Sequence, residues 1–170
     1  VSLFKLPLSH YSMSLGHIGL AFVIAGVALT SQYSVERDVK MNTGDSAELR
    51  GYQFTFDKIK NIEGPNYDGW AAVISVTKQD KPVATMLAEK RFYPVQRNTM
   101  TEAAIDDGFF RDIYISLGER LPDGAWALRL YVKPYVRWIW LGGIIVAFAG
   151  GLTLFDRRYR NKNVAKVTAQ

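Results

Sequence analysis

The sequence predicts a membrane protein in which two transmembrane α-helices flank a small all-β extracytoplasmic domain. Three observations predict it. Residues 13–31, MSLGHIGLAFVIAGVALTS, carry no formal charge, and neither do residues 138–155, WIWLGGIIVAFAGGLTLF. Between the two tracts, residues 32–134 alternate apolar and polar positions and hold 14 Lys/Arg against 15 Asp/Glu, a net charge of −1. The surplus behind the chain's formal charge of +5 therefore lies in the flanks. A nucleic-acid binder carries its basic excess on the folded domain, so that class is excluded. The whole-chain mean hydropathy of −0.04 only averages two unlike parts.

Residues 1–10 form a short segment ahead of the membrane. The first span is placed at residues 11–31, because crossing a hydrocarbon core of about 30 Å takes roughly 20 helical residues. A secretory signal peptide is the rival reading for this tract. It is disfavoured because Lys5 stands alone ahead of the apolar run and GVALTSQYS is only a fair cleavage site. Gly16 and Gly19 clear space along this helix. On the second span Gly143, Ala147 and Gly151 recur every four residues, the pattern of a close-packing face.

Residues 32–134 read as β-structure. Tyr52–Asp57 and Trp126–Lys133 alternate apolar and polar side chains, the period of a half-buried strand. Ala71–Thr77 and Arg111–Leu117 are short runs rich in β-branched residues, and Ser34–Lys40 reads as the first edge of the domain. Thr43-Gly44-Asp45, Gly64-Pro65-Asn66, Gln79-Asp80-Lys81-Pro82 and Pro122-Asp123-Gly124 supply turns between them. Strands at this spacing indicate a small sandwich or open barrel. Thr101–Asp107 is expected as a helical turn or a loop. The chain has no cysteine, so packing alone must hold the domain.

The second span is placed at residues 135–155 and a basic tail at 156–170. Arg157, Arg158, Arg160, Lys162 and Lys166 mark that tail as cytoplasmic. Two crossings then put the N-terminus on the same side and residues 32–134 outside. Tyr11, Tyr33, Tyr135, Trp138, Trp140 and Tyr159 flank the spans as interfacial aromatics.

Candidate chemistry is sparse in the outer domain. It has no histidine and no cysteine, which excludes Ser/His/Asp, Cys/His and zinc sets within it. Glu102, Asp106 and Asp107 read as a solvated turn, and Arg137 as an interfacial anchor rather than a partner for a haem propionate or lipid phosphate. His17 is the informative residue, because an ionisable group in a membrane span is expensive and usually functional. Its imidazole could bond a neighbouring helix, ligate a metal or haem, or relay a proton. His10 lies seven residues earlier, about 10 Å along the axis. The two cannot clamp one iron, so any partner ligand for His17 comes from another helix.

Several segments carry a resemblance. SLGHIGLAFVIAGVALTSQYSVERDVKM, GDSAELRGYQFTF, EGPNYDG, AEKRFYPVQ, MTEAAID, RDIYISLGE, GAWALRLYVKPYVRWIW and FDRRYR are similar, in order, to the C-terminal part of the CcmF/NrfE family, the haem lyase subunits of bacterial cytochrome c maturation. The likeness runs from about Ser14 to Arg160.

The resemblance implies a multi-pass inner-membrane protein with residues 32–134 in the periplasm. It implies an activity that accepts haem from the chaperone CcmE and joins it through thioethers to apocytochrome c presented by CcmH/CcmI. It also implies a haem b held by two transmembrane histidines, of which His17 matches the second. The family's tryptophan-rich segment, its two periplasmic histidines and its first transmembrane histidine have no counterpart here. The chain is therefore expected to be a fragment or one polypeptide of a split protein, unable by itself to form a thioether. The alternative is a cofactor-free two-span scaffold that docks periplasmic partners; a transporter accessory with His17 in a proton path is a third reading.

Overall fold

The computed structural model describes residues 8–155, and the basic tail lies outside them. A helix, α1 (Leu8–Tyr33), leads into nine strands and a closing helix. The strands are β1 (Val35–Met41), β2 (Ser46–Leu49), β3 (Tyr52–Glu63), β4 (Asp68–Lys78), β5 (Lys81–Tyr93), β6 (Asn98–Glu102), β7 (Ala104–Asp107), β8 (Arg111–Arg120) and β9 (Trp126–Pro134). The closing helix is α2 (Val136–Leu154). The chain divides into two compact units, the helix pair and residues 32–134. Both helices are apolar and long enough to cross a membrane, at 26 and 19 residues, or about 39 and 28 Å.

The β unit is a sandwich of two antiparallel sheets. One has the order β1-β9-β8-β7, the other β2-β3-β4-β5-β6. Alternation puts Ile113, Ile115, Leu117, Leu128, Leu130 and Val132 on the inner face of the first. They meet Phe54, Phe56, Ile74, Val76, Met86 and Ala88 of the second. Phe54 and Phe56 are fully buried, so the aromatic alternation in Tyr52–Asp57 is the centre of the core.

Both sides of the sandwich are closed by a chain that changes sheet. β1 edges one sheet and β2 the other, and Arg37 donates to the Glu48 carbonyl at 2.9 Å across that side. On the opposite side Ala103 is the only residue between β6 and β7. Thr101–Asp107, expected as a helical turn or loop, is thus the strand pair that switches sheets. Its alternation is broken by the crossover itself, which hides the strand period. Such crossovers also shield the edges from pairing with other chains.

Hairpins fall where turn chemistry allows. Arg50 and Gly51 join β2 to β3 with φ of 54° and 73°, both left-handed, the requirement of a two-residue type I′ hairpin. Gln79 and Asp80 (φ 50° and 58°) do the same between β4 and β5 without glycine. A bulge at Asp57 shifts the β3–β4 register between Phe56 and Lys58, so the core face continues through Ile59 rather than Lys58.

Candidate functional site

The helix pair meets through small residues. Ser12, Gly19 and Gly26 are the buried positions of α1, spaced by seven, and Gly142 and Ala149 are those of α2. A Cβ on Gly142 would lie 2.6 Å from the Gly19 carbonyl oxygen, so only glycine permits this backbone approach. Ser12 Oγ donates to the Ala149 carbonyl at 2.7 Å and shares a 2.5 Å hydrogen bond with Thr153 Oγ1. Phe22 and Trp138 add a tilted ring contact at 5.6 Å. The face of Gly143, Ala147 and Gly151, expected to pack on the other span or on helices from elsewhere, is not the one that meets α1. A Cβ added to Gly143 or Gly151 would meet nothing within 4 Å, because α2 turns its neighbouring stripe toward α1.

This contact fixes where His17 points. It lies two residues, about 200°, round the helix from Gly19, and it is exposed on the face away from α2. Leu20 and Ile24 continue that face at 51% and 60% exposure, with Ala21 and Ala28 beside them. His17 Nδ1 lies 2.7 Å from the Met13 carbonyl oxygen. A carbonyl only accepts, so Nδ1 carries a proton, and in the neutral imidazole the lone pair is on Nε2. A bare Nε2, with Nδ1–H held by a backbone carbonyl, is the arrangement of a metal-ligating histidine. His10 stands nearer the start of α1, exposed, its ring edge-on to Tyr11 at 6.3 Å.

The acidic residues singled out in the outer domain are not gathered into one site. Glu102 lies on β6 of the five-stranded sheet, 3.7 Å from Arg91. Asp106 and Asp107 lie on β7 of the other sheet, where Arg111 pairs with Asp106. Among the described residues no three His, Asp or Glu side chains converge as a metal site. Arg137 is exposed in the first turn of α2.

Other polar features are not legible in the sequence. Arg129 grips Asp38 with two hydrogen bonds, 2.6 and 3.0 Å, across β9 and β1. The Arg129 side chain, chiefly through that hydrogen bonding, holds the Asp38 carboxyl below its ordinary range. Lys133 Nζ sits over Tyr114 and Tyr131, 5.2 and 5.0 Å from their ring centres. Burial, aided by the neighbouring Asp112 carboxylate, pushes the Tyr114 hydroxyl up. Lys90 is buried and ion-paired with the exposed Glu119. Strand pairing brings these groups together across long stretches of chain, so local pattern does not reveal them.

Known proteins share both the sequence and the arrangement of these elements. Residues 32–134 match the family model of the CcmF C-terminal beta-sandwich. The chain belongs to the CcmF family. Over 165 residues it is 50% identical to the cytochrome c-type biogenesis protein CcmF of Escherichia coli (strain K12), covering 97% of this chain and 26% of that protein. The Haemophilus influenzae CcmF is 51% identical over 92% of the chain and 24% of its own length. The NrfE protein of the same organism is 35% identical over 93% of the chain and 25% of its own length. A solved cytochrome c haem lyase CcmF shares the fold, with a TM-score of 0.68 at 17% identity over 85% of this chain and 24% of that one. The chain thus spans about a quarter of the CcmF proteins it matches, and two membrane helices around a β-sandwich are this family's C-terminal region.

Proposed function

We propose that this chain is the haem-gripping C-terminal portion of a cytochrome c haem lyase. His17 would hold the iron of a transmembrane haem b, shared with a histidine outside this chain. The observation that carries the reading is the 2.7 Å Nδ1–Met13 carbonyl contact. It leaves Nε2 bare on a face of α1 that α2 does not cover. The residues fit the group. Nε2 would ligate the iron, and Leu20, Ala21 and Ile24 would give an apolar wall for a flat macrocycle. Haem bound there supplies a redox-active iron whose potential reflects histidine ligation and a dry setting. The chain's own contribution is to hold the imidazole in one tautomer and orientation.

The sandwich is read as the periplasmic docking domain of the lyase, serving apocytochrome c, CcmH/CcmI and the haem chaperone CcmE. The membrane is the bacterial inner membrane. The basic residues from Arg157 to Lys166 keep the tail in the cytoplasm and residues 32–134 in the periplasm.

The test uses the assembled haem lyase with all of its helices. His17→Ala should remove the b-type haem absorbance and most cytochrome c maturation while the protein stays inserted. Survival of both haem and maturation would overturn the ligand role and favour the cofactor-free scaffold. Loss of a proton-dependent activity with haem retained would favour the proton path.

A further inference from the structure

We propose that the end of the five-stranded sheet beyond Trp126 is a docking groove for a basic, apolar peptide segment of a partner protein. It rests on the reading of the sandwich as a docking domain, not on haem ligation by His17.

The registers of β3, β4, β5 and β6 place side chains on the inner face in rows. The row Phe56–Ile74–Met86 is buried against the opposite sheet. Two rows further along, Asn61, Trp70, Lys90 and Thr101 lie side by side, followed by Glu63, Asp68, Phe92 and Thr99. The opposite sheet ends at Met41 and Trp126, paired with each other. Trp126 covers part of Trp70, with ring centres 5.7 Å apart. Beyond that stack the longer sheet overhangs a hollow of about 410 Å³. The chain enters at Val35 and leaves at Pro134, at the other end of β1 and β9, so the overhang faces away from both.

The composition changes where cover ends. Core rows are wholly apolar, whereas the overhang mixes aromatic and charged residues, as protein interfaces do. Trp70 remains 43% exposed and Phe92 40%. An inner sheet face left this open to water is disfavoured unless something covers it.

Charge selects the occupant. Glu63, Asp68 and Glu119 line the hollow with one cation, Lys90, and Glu119 already pairs with it. Two carboxylates are left over beside an exposed indole face. A lysine or arginine of a partner fits both, by ion pairing and by stacking over Trp70. The apolar side chain next to it fits against Phe92. An anionic ligand would have to displace Glu119 and sit beside Glu63 and Asp68.

The test uses the full chain in neutral detergent micelles and two fluorescent probes, acetyl-Lys-Leu-Lys-Leu-Lys-amide and acetyl-Glu-Leu-Glu-Leu-Glu-amide, read by anisotropy. The basic probe should bind, and more weakly as salt rises. Trp70→Ala should weaken it about tenfold or more. The double variant Glu63→Gln with Asp68→Asn, at exposed positions that leave the core intact, should do the same and flatten the salt dependence. His17→Ala should leave binding unchanged, which separates this surface from the haem reading. Absence of binding by the basic probe overturns the proposal, as does binding indifferent to both variants. Preference for the acidic probe, abolished by Lys90→Met, would overturn it in favour of an anion site.

Discussion

Gly142→Ala adds one methyl group at the point where the two helix backbones are closest. The new Cβ would lie 2.6 Å from the Gly19 carbonyl oxygen and 2.7 Å from both the backbone nitrogen and Cγ2 of Val23. Ordinary contact begins near 3.4 Å, so α2 must withdraw by about 0.8 Å. The same withdrawal stretches the 2.7 Å hydrogen bond from Ser12 to Ala149 toward its limit. Overpacking of this kind costs about 1–3 kcal/mol. Alanine also favours a helix over glycine by up to about 1 kcal/mol, which obscures the clash if one variant is measured alone. Gly143→Ala removes that ambiguity. It makes the same chemical change one residue away, where nothing lies within 4 Å. The propensity gain cancels, and the two variants should differ by about 1–3 kcal/mol.

The chain lacks cysteine, so Ser12→Cys with Thr153→Cys provides a clean reporter of helix contact. Disulfide formation is followed as SDS is titrated into neutral micelles. Gly142→Ala should lose cross-linking at a lower SDS fraction than Gly143→Ala. Identical midpoints would refute the small-residue contact and, with it, the orientation assigned to His17.

Three further outcomes concern the sandwich. Glu119→Gln leaves the buried Lys90 ammonium without its carboxylate and should destabilise the domain by about 1–3 kcal/mol in urea unfolding, whereas Lys90→Met removes the buried charge and should cost much less. Phe54→Ala, at a fully buried aromatic, should lose about 3–5 kcal/mol by the same measurement. The Asp38 carboxyl is held low in the folded protein by Arg129. Its pairing therefore contributes above the unfolded carboxylate pKa of about 3.9 and is lost only as pH falls through the lower folded value. Arg129→Gln should move the Asp38 titration upward by NMR and leave stability between about pH 5 and 8 nearly unchanged, since the pair is exposed.

Local signals carry much of the architecture. The alternation in Tyr52–Asp57 and Trp126–Lys133 marks the strands β3 and β9, and Ala71–Thr77 and Arg111–Leu117 lie within β4 and β8. β5 is illegible by pattern, although at 13 residues it is the longest strand. Its Pro82 sits in a turn signal and Glu89, Lys90 and Arg91 interrupt the apolar period, so composition hides it. β2 is only four residues long and β6 is mostly polar, and they exist because neighbouring strands offer them hydrogen bonds. The His17 acceptor is equally hard to read, though it lies one helical turn back. Every histidine inside a helix has such a carbonyl, and only the side-chain rotamer decides whether it is used.

Charge and hydropathy along the chain are enough to set out two apolar helices with a β domain between them, because those properties depend on residue type and short-range period. Folding in three dimensions adds the choice of Gly142 over Gly143 as the helix contact, the sheet change at Ala103, the bulge at Asp57 and the burial of Lys90. Each of those depends on which distant strand or helix lies opposite, and a residue's neighbours along the chain hold no record of that pairing.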